Sequence, residues 1–229
     1  MLLGGGDFDR QSLILDLNFD MLWPDAPTGA LARWDLSALI ILTGYLLGCM
    51  TAGYYLVRWS RGKDIRGEGS GSAGATNVGR ALGPAGFAGT FLLDSAKGAL
   101  AAWLAAHFGL GPWASLLCAL AVVSGHIWPV QLRFRGGKGV APLVGVLLVA
   151  DYRIVLIMAV ICIFALALLR RFTPSGLIAL AAAPLVLLVA LQPPERALRL
   201  FLLVIPVLCA HRQNIHEDLG MRPVGKTDR

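Results

Sequence analysis

The chain has 229 residues, of which 56% are hydrophobic and 15% are charged, and its formal net charge is +6. About a quarter of the residues in soluble domains are charged, so this composition excludes a soluble protein with a polar shell, a disordered chain and a secreted disulfide scaffold. The cysteines lie far apart inside apolar runs and lack metal-ligand spacing, which indicates core positions rather than a metal site. They are Cys49, Cys118, Cys162 and Cys209.

The N-terminal segment 1–34 differs from the rest of the chain because it is acidic, with several aspartates against Arg10 and Arg33. The segment has neither the basic start nor the small-residue cleavage site of a signal peptide. We expect an acidic extracytoplasmic extension at residues 1–34, followed by a membrane domain at residues 35–229. Within the extension, Ser12–Leu22 is either a short amphipathic helix or part of a partly ordered tail.

Seven apolar runs follow, and a bilayer core of about 30 Å needs about 20 apolar residues in a helix. Continuous apolar runs dominate over strand-like alternation, so the sequence predicts an all-α integral membrane protein with seven transmembrane helices rather than a β-barrel. The fourth run is short for a crossing and must tilt or pack against protein. The predicted spans are Leu36–Val57, Ala85–Phe108, Trp113–Trp128, Val140–Ala150, Ile154–Leu169, Ser175–Leu191 and Ala197–Ala210.

The positive charges predict the orientation of these spans. With seven crossings, 14 Lys and Arg residues fall on one side of the membrane and five on the other. The richer side is expected to be cytoplasmic, since cytoplasmic loops carry the excess of Lys and Arg. The N-terminus is therefore predicted to lie outside.

A first glycine-rich segment, between Arg66 and Arg80, interrupts the apolar pattern on the cytoplasmic side. Glycines allow several backbone N–H groups to converge on one anion, and hydroxyl side chains add donors. Residues 69–74 match G-x-G-x-x-G, but a dinucleotide site also needs a preceding strand, and an apolar helix and a basic loop come first here. The segment predicts an anion site rather than a flexible loop. Its donors include Gly69, Ser70, Gly71, Ser72, Gly74 and Thr76.

A second glycine-rich segment surrounds one lysine, with Gly136, Gly137 and Gly139 flanking Lys138. It is not a Walker A loop, because Gly139 stands where that motif needs Ser or Thr. At the start of a helix, free N–H groups and the helix dipole hold anions. A loop that only fixes topology explains the cations in this segment but not the glycines.

Two further features are polar. His211 and Asn214 follow the last span three positions apart, so a continuing helix would place them on one face, and histidine can bind phosphate or act as a base near neutral pH. Asp94 and Lys97 lie inside the second span, where ionisable residues are costly. We interpret them as a structural ion pair that locks the second helix, with direct catalysis as the alternative. His126 adjoins the second glycine-rich segment and could orient it, but the favoured role is a hydrogen bond that secures the turn at Gly125–Pro129.

Together these motifs resemble one family, the bacterial acyl-phosphate:glycerol-3-phosphate acyltransferases of the PlsY type. The resemblance extends from about Leu36 to Gly220 and follows the order of the family's motifs. The matching stretches are Gly69-Ser-Gly, Gly74-Ala-Thr-Asn-Val with Arg80, Leu92-Leu-Asp-Ser-Ala-Lys-Gly98, Gly125-His with Pro129-Val, Gly136-Gly-Lys-Gly-Val-Ala141, and His211-Arg with Asn214-Ile.

The resemblance implies seven membrane helices with a cytoplasmic active site in the bacterial inner membrane. It also implies transfer of an acyl chain from acyl phosphate to the 1-hydroxyl of glycerol 3-phosphate, without a cofactor, a metal or coenzyme A. The implied partners are these two substrates and membrane lipids, with no nucleic acid and no obligate protein partner. The implied proton acceptor is a substrate phosphate oxygen, and His211 is the competing base.

The same resemblance implies roles for individual residues. Ser70 between Gly69 and Gly71 would cradle the acyl phosphate. The implied catalytic residues are Ser70, Arg80, Lys138, His211 and Asn214. The further substrate-binding candidates are Gly69, Gly71, Ser72, Thr76, Asn77, Gly136, Gly137, Gly139 and Ser175.

The sequence departs from the family pattern at several positions. Ser72 replaces an Asn, Pro142 replaces a Thr or Ser, and Arg222 replaces an acidic residue, while Ser175 stands in for a serine near the start of the sixth helix. These changes leave room for an altered substrate preference or weaker activity.

Three other classes of protein fit the sequence less well. A permease for an organophosphate could use the glycine segments as half-helix anion sites, but the polar segments share one face and no inverted repeat is visible. A phosphatidyl-alcohol transferase needs clustered aspartates for metal, which the cytoplasmic loops lack. A purely structural membrane subunit does not explain the glycine segments.

Overall fold

The computed structural model describes residues 34–189 and 193–212. The predicted extension up to residue 33, its Ser12–Leu22 segment, Asn214 and Arg222 lie outside the described residues.

The described residues form helices joined by turns and loops, as expected for an all-α protein. Two short 3-10 turns, Ile65–Gly67 and Val130–Leu132, lie in the loops that carry the glycine-rich segments. The helices are α1 Trp34–Cys49, α2 Ala52–Arg61, α3 Ala75–His107, α4 Pro112–Ile127, α5 Val140–Leu169, α6 Phe172–Val189 and α7 Pro194–Ala210.

Four segments of the described chain are long and apolar enough to cross a membrane: Asp35–Arg61, Pro112–Leu132, Val140–Leu169 and Phe172–Val189. This agrees with a multi-pass membrane protein. The division into seven spans stays a prediction.

The first predicted span, Leu36–Val57, is not one continuous helix. The chain leaves the helix at Met50 and Thr51, between α1 and α2. Polar side chains distant in sequence satisfy the backbone groups that the break frees. The Lys97 ammonium donates to Gly48 O (2.9 Å) and Met50 O (3.0 Å), and Gln131 donates to Cys49 O. A break inside a bilayer is stable only when such partners are present.

The fourth and fifth predicted spans form the single element α5, with a kink in the gap between the two spans. Asp151 has non-helical angles, φ −163° and ψ 96°, which separate the two halves of the element. Its Oδ1 accepts a 3.0 Å hydrogen bond from Arg153 N, so Asp151 acts as an N-cap for the second half.

Close helix contacts use glycines, as is usual between membrane helices. A methyl group at Gly98 would overlap the backbone of Pro142, and one at Gly145 would overlap the backbone of Ser95, so α3 and α5 touch. Pro142 lies in the first turn of α5, where its missing N–H removes no intrahelical hydrogen bond. This packing holds the start of α5, and therefore the second glycine-rich segment, against α3.

Candidate active site

The first loop, residues 62–74, is organised by the buried side chain of Asn77. Its Oδ1 accepts a 3.0 Å hydrogen bond from Ser70 N. Its Nδ2 lies 3.2 Å from Ile65 O, 3.0 Å from Glu68 O and 2.9 Å from Ser72 O. The hydrogen bonds of this amide are therefore made to the loop, so Asn77 fixes the shape of the site and does not offer a free polar group to a substrate.

Two glycines of this loop have left-handed backbone angles, with φ of 55° at Gly69 and 69° at Gly71. Glycine adopts this region without the steric cost that Cβ imposes. The turn presents Ser70 between them, with an exposed side chain. Ser72 Oγ accepts a 3.2 Å hydrogen bond from Gly74 N at the start of α3.

The second loop, residues 133–139, packs tightly on His126. Gly136 N donates to Ile127 O and Gly137 N donates to His126 O, both at 3.0 Å. A Cβ at Gly137 would overlap the His126 imidazole. Gly139 has φ 86° and caps the N-terminus of α5. This fit explains why glycines flank Lys138.

An arginine and a backbone contact join the two loops. Ala73 N donates to Gly136 O at 3.1 Å, and Arg66 Nη1 donates to Leu132 O at 2.6 Å. Arg66 also pairs with Asp64 at 2.7 Å. This guanidinium holds the pKa of the Asp64 carboxyl below its ordinary value, chiefly through the hydrogen bond. The two segments predicted to bind anions therefore form one structure.

A cavity of about 340 Å³ opens beside the joined loops. Its polar lining combines cations with hydroxyl groups, and its other walls are apolar side chains of α3, α5 and α6. The polar lining comprises Ser70, Ser72, Thr76, Asn77, Arg80, Asp94, His126, Lys138, Thr173 and His211; the apolar lining includes Phe87, Phe91, Val144, Val155, Met158 and Leu177.

His211 lies at the C-terminal end of α7 and lines the cavity. Its Nδ1 is 2.8 Å from Val207 O. A carbonyl only accepts hydrogen bonds, so Nδ1 carries the hydrogen and Nε2 keeps the lone pair. Burial lowers the pKa of His211 below its ordinary value, and Lys138 lowers it further against the opposing Val207 hydrogen bond. The side chain is therefore neutral at pH 7.

Asp94, Lys97 and His126 form a buried cluster beneath the loops. Lys97 Nζ lies 2.8 Å from Asp94 Oδ1 and 2.8 Å from His126 Nδ1. An ammonium only donates, so His126 Nδ1 accepts and its Nε2 carries the hydrogen. The cluster fixes the imidazole on which Gly137 packs.

The structure brings together most of the residues that the sequence singles out. Gly69, Gly71, Gly136 and Gly137 shape the loops, and Gly139 lines the cavity together with Ser70, Ser72, Thr76, Arg80 and Lys138. The role of Ser175 stays a prediction. The Ser175 hydroxyl is buried and donates to Arg171 O at 2.7 Å on its own helix. Thr173, two positions earlier, lines the cavity instead.

Two residues for which the sequence favours a structural role also line the cavity. The ion pair expected of Asp94 and Lys97 is present at 2.8 Å, and Asp94 and His126 both belong to the cavity wall. The spacing from Asp94 to Lys97 is a local signal for the ion pair. No local pattern connects Asp94 or Lys97 to His126, because Asp94 and Lys97 lie on α3 and His126 lies on α4.

The family model of glycerol-3-phosphate acyltransferase matches residues 38–219. The chain belongs to this family. It is 49% identical over 185 residues to glycerol-3-phosphate acyltransferase 1 of Desulfitobacterium hafniense, covering 81% of this chain and 92% of the relative. It is 40% identical over 195 residues to the glycerol-3-phosphate acyltransferase of Parasynechococcus marenigrum, covering 82% of this chain and 90% of the relative.

Two solved structures share the fold. The crystal structure of PlsY, an integral membrane glycerol 3-phosphate acyltransferase, in its glycerol 3-phosphate form has a TM-score of 0.75 and 32% identity, covering 82% of this chain and 96% of that one. The lysophosphatidic acid form has a TM-score of 0.71 and 31% identity, covering 82% and 95%.

Proposed function

We propose that this chain transfers an acyl group from acyl phosphate to the 1-hydroxyl of glycerol 3-phosphate, giving 1-acyl-glycerol 3-phosphate and inorganic phosphate. The observation that carries the proposal is a single cavity whose polar part holds cations, hydroxyls and glycine loops and whose other walls are apolar. An acyl phosphate has the same division into a charged head and an apolar chain.

The donor phosphate fits the first loop. Ser70 sits at a turn between two left-handed glycines and lines the cavity, and Arg80 lines the cavity from the second turn of α3. The N–H groups of Ser70 and Gly71 are already bonded to Asn77 Oδ1 and Glu68 O, so the Ser70 hydroxyl and the Arg80 guanidinium are the donors that this side of the cavity offers to a phosphate. The acyl chain would pack along apolar side chains such as Phe91, Val144 and Met158.

The acceptor phosphate fits the second loop. Lys138 precedes the N-terminus of α5, where free N–H groups and the dipole add to its charge. His211 lines the same cavity. Asn214 joins this group by resemblance alone.

The reaction then depends on position and electrostatics. The glycerol hydroxyl oxygen attacks the acyl carbon, the bond from that carbon to the bridging phosphate oxygen breaks, and the phosphate leaves with the bonding electrons. The hydroxyl proton passes to a phosphate oxygen, while neutral His211 with its Nε2 lone pair is the alternative acceptor. Cations at the leaving phosphate stabilise the developing charge. No covalent acyl-enzyme, cofactor or metal is required, because acyl phosphate is already activated.

We further propose seven membrane crossings, with the N-terminus outside and this cavity at the cytoplasmic face of the bacterial inner membrane. The separation of 14 cations from five supports the orientation. The kink at Asp151 supports counting the two halves of α5 as separate crossings.

Donor selection and product location test the proposal. We expect the purified chain to form 1-acyl-glycerol 3-phosphate from acyl phosphate, in the presence of a metal chelator, and to form none from acyl coenzyme A. Uptake of glycerol 3-phosphate into vesicles without acylation would contradict the proposal and favour a permease.

A further inference from the structure

The two oxygens of the Asp94 carboxylate differ completely in their hydrogen bonding. Oδ1 lies 2.8 Å from Lys97 Nζ, accepts a 3.3 Å hydrogen bond from Ala52 N and is 3.5 Å from His126 Nδ1. Oδ2 has no hydrogen-bond partner anywhere in 34–189 or 193–212. Asp94 is only 1% exposed, so bulk water does not donate a hydrogen bond to Oδ2 either.

This unpartnered oxygen belongs to a residue that lines the cavity. A buried acceptor without a partner is costly, and such groups in native proteins call for an explanation. Oδ1 is held by Lys97 and by Ala52 N, and Asp94 is one of the residues that line the cavity, so a donor on a bound ligand is a candidate partner for Oδ2. A ligand that donates a hydrogen bond to Oδ2 would give this oxygen the partner that it lacks.

The chemistry of the site limits what that ligand group can be. A carboxylate oxygen accepts hydrogen bonds and repels phosphate, whereas Arg80 and Lys138 attract phosphate. Both phosphates are therefore directed toward the loops, and a hydroxyl is the group that suits Oδ2.

We propose that Asp94 Oδ2 accepts a hydrogen bond from the secondary, 2-hydroxyl of glycerol 3-phosphate. This inference rests on the proposed function and specifies which hydroxyl of the acceptor the cavity recognises. Asp94 then sets which hydroxyl stays bound and which is free to react.

The 2-hydroxyl suits Asp94 better than the reacting 1-hydroxyl does. The attacking hydroxyl must give up its proton, and Lys97 together with the Ala52 N–H group already stabilises the Asp94 negative charge. A carboxylate stabilised in this way is a weak base but still a hydrogen-bond acceptor. It can hold a hydroxyl that keeps its proton.

The test compares two acceptors, glycerol 3-phosphate and 3-hydroxypropyl phosphate, which lacks the 2-hydroxyl. With the unaltered chain, kcat/KM should be about tenfold or more higher for glycerol 3-phosphate, because the lost hydrogen bond involves a charged group. In D94N, the amide can keep an oxygen toward Lys97 and place a donor at the Oδ2 position. The 2-hydroxyl oxygen can still accept a hydrogen bond from that neutral amide donor, but the charge-assisted bond is lost, so the preference should fall by about threefold or more, mainly through loss of activity with glycerol 3-phosphate.

D151N is the matched control. Asp151 is also buried with an unpartnered Oδ2 within the described chain, but it lies at the α5 kink and does not line the large cavity. This variant should keep the preference of the unaltered chain. A thermal-shift titration with each acceptor measures the same preference as binding, so the inference remains testable even if turnover fails and the proposed function falls.

Equal kcat/KM and equal binding of the two acceptors by the unaltered chain would overturn the inference, and this comparison needs no variant that might misfold. A folded D94N that keeps the full preference would overturn it too. Equal losses for both acceptors in folded D94N would contradict the assignment to the 2-hydroxyl.

Discussion

Ala73 N donates a 3.1 Å hydrogen bond to Gly136 O, and this contact joins two loops that are far apart in the chain. One loop carries Ser70 and the other carries Lys138, so the contact places the two proposed phosphate-binding elements beside the same cavity. A reaction between two phosphate-bearing substrates needs this kind of fixed proximity.

Replacing Lys138 tests the charge at the second loop. K138A should lower kcat/KM by about 100-fold or more, as expected when a charge-stabilising donor is removed from a reacting site. The fold should remain, because Lys138 is a loop residue that is only partly buried. The assay is product formation from both substrates, with thermal unfolding in detergent as the measure of fold.

K63A is the control for this variant. Lys63 is an exposed loop lysine that pairs with Glu68 at 3.3 Å, and exposed pairs contribute little. Its activity should stay within about twofold of the unaltered chain. Near-normal turnover in K138A would show that Lys138 does not stabilise the reacting substrates.

Asn77 gives a prediction about stability. N77A removes the amide that bonds Ser70 N, Ile65 O and Ser72 O, and each of the two buried carbonyls, Ile65 O and Ser72 O, costs about 1–3 kcal/mol if left unpaired. The free energy of unfolding should fall by about 3 kcal/mol, and the KM for acyl phosphate should rise. Chemical denaturation and donor titration measure the two effects.

T43A serves as the comparison, because the Thr43 hydroxyl makes an exposed hydrogen bond to Leu39 O of its own helix. It should lose less than about 0.5 kcal/mol. An unchanged stability of N77A would show that Asn77 does not organise the loop.

The second loop gives a steric prediction. G137A places a methyl group on the His126 imidazole, so the loop must shift away from α4, and activity should fall by about tenfold or more because small misplacements are costly at reacting sites. At Gly67, in contrast, a methyl group meets open space. G67A should keep nearly full activity, and equal activities of the two variants would disprove the packing argument.

His211 gives a pH prediction. Burial lowers its pKa below the ordinary 6.5, so the folded protein binds its proton less readily than the unfolded chain does. This contribution to stability is complete above pH 6.5 and is lost as the pH falls toward the lowered pKa. If the neutral ring contacts the acceptor, kcat/KM should decline over the same acidic range.

Comparing the pH profile with that of H211Q separates this effect from titration of the substrate phosphates, which both proteins share. The acidic decline assigned to His211 should be absent from H211Q. An identical acidic limb in both proteins would show that protonation of His211 does not control turnover.

Features encoded locally could be predicted from the sequence. Glycines around Ser70 and Lys138 predict the two loops because a glycine nest is a property of neighbouring residues. The apolar runs predict the helices, and the polar Asp151 marks the kink in α5.

Features that depend on distant contacts could not be predicted. The break between α1 and α2 relies on two side chains that lie much later in the chain. Lys97 is on α3, and Gln131 is in the 3-10 turn Val130–Leu132. The role of Asn77 depends on the folded path of the loop. The role of Ser175 stays a prediction: its hydroxyl bonds to Arg171 O on its own helix, and Thr173 lines the cavity.

The most direct test follows the oxygen of the acceptor hydroxyl. The purified chain is given unlabelled acyl phosphate and glycerol 3-phosphate carrying 18O at the 1-hydroxyl, and both products are analysed by mass spectrometry. Direct acyl transfer predicts that the label stays in the ester of 1-acyl-glycerol 3-phosphate, with one unlabelled inorganic phosphate released per ester formed. Formation of no acylated product, or transfer of the phosphoryl group to the labelled oxygen, would contradict the account.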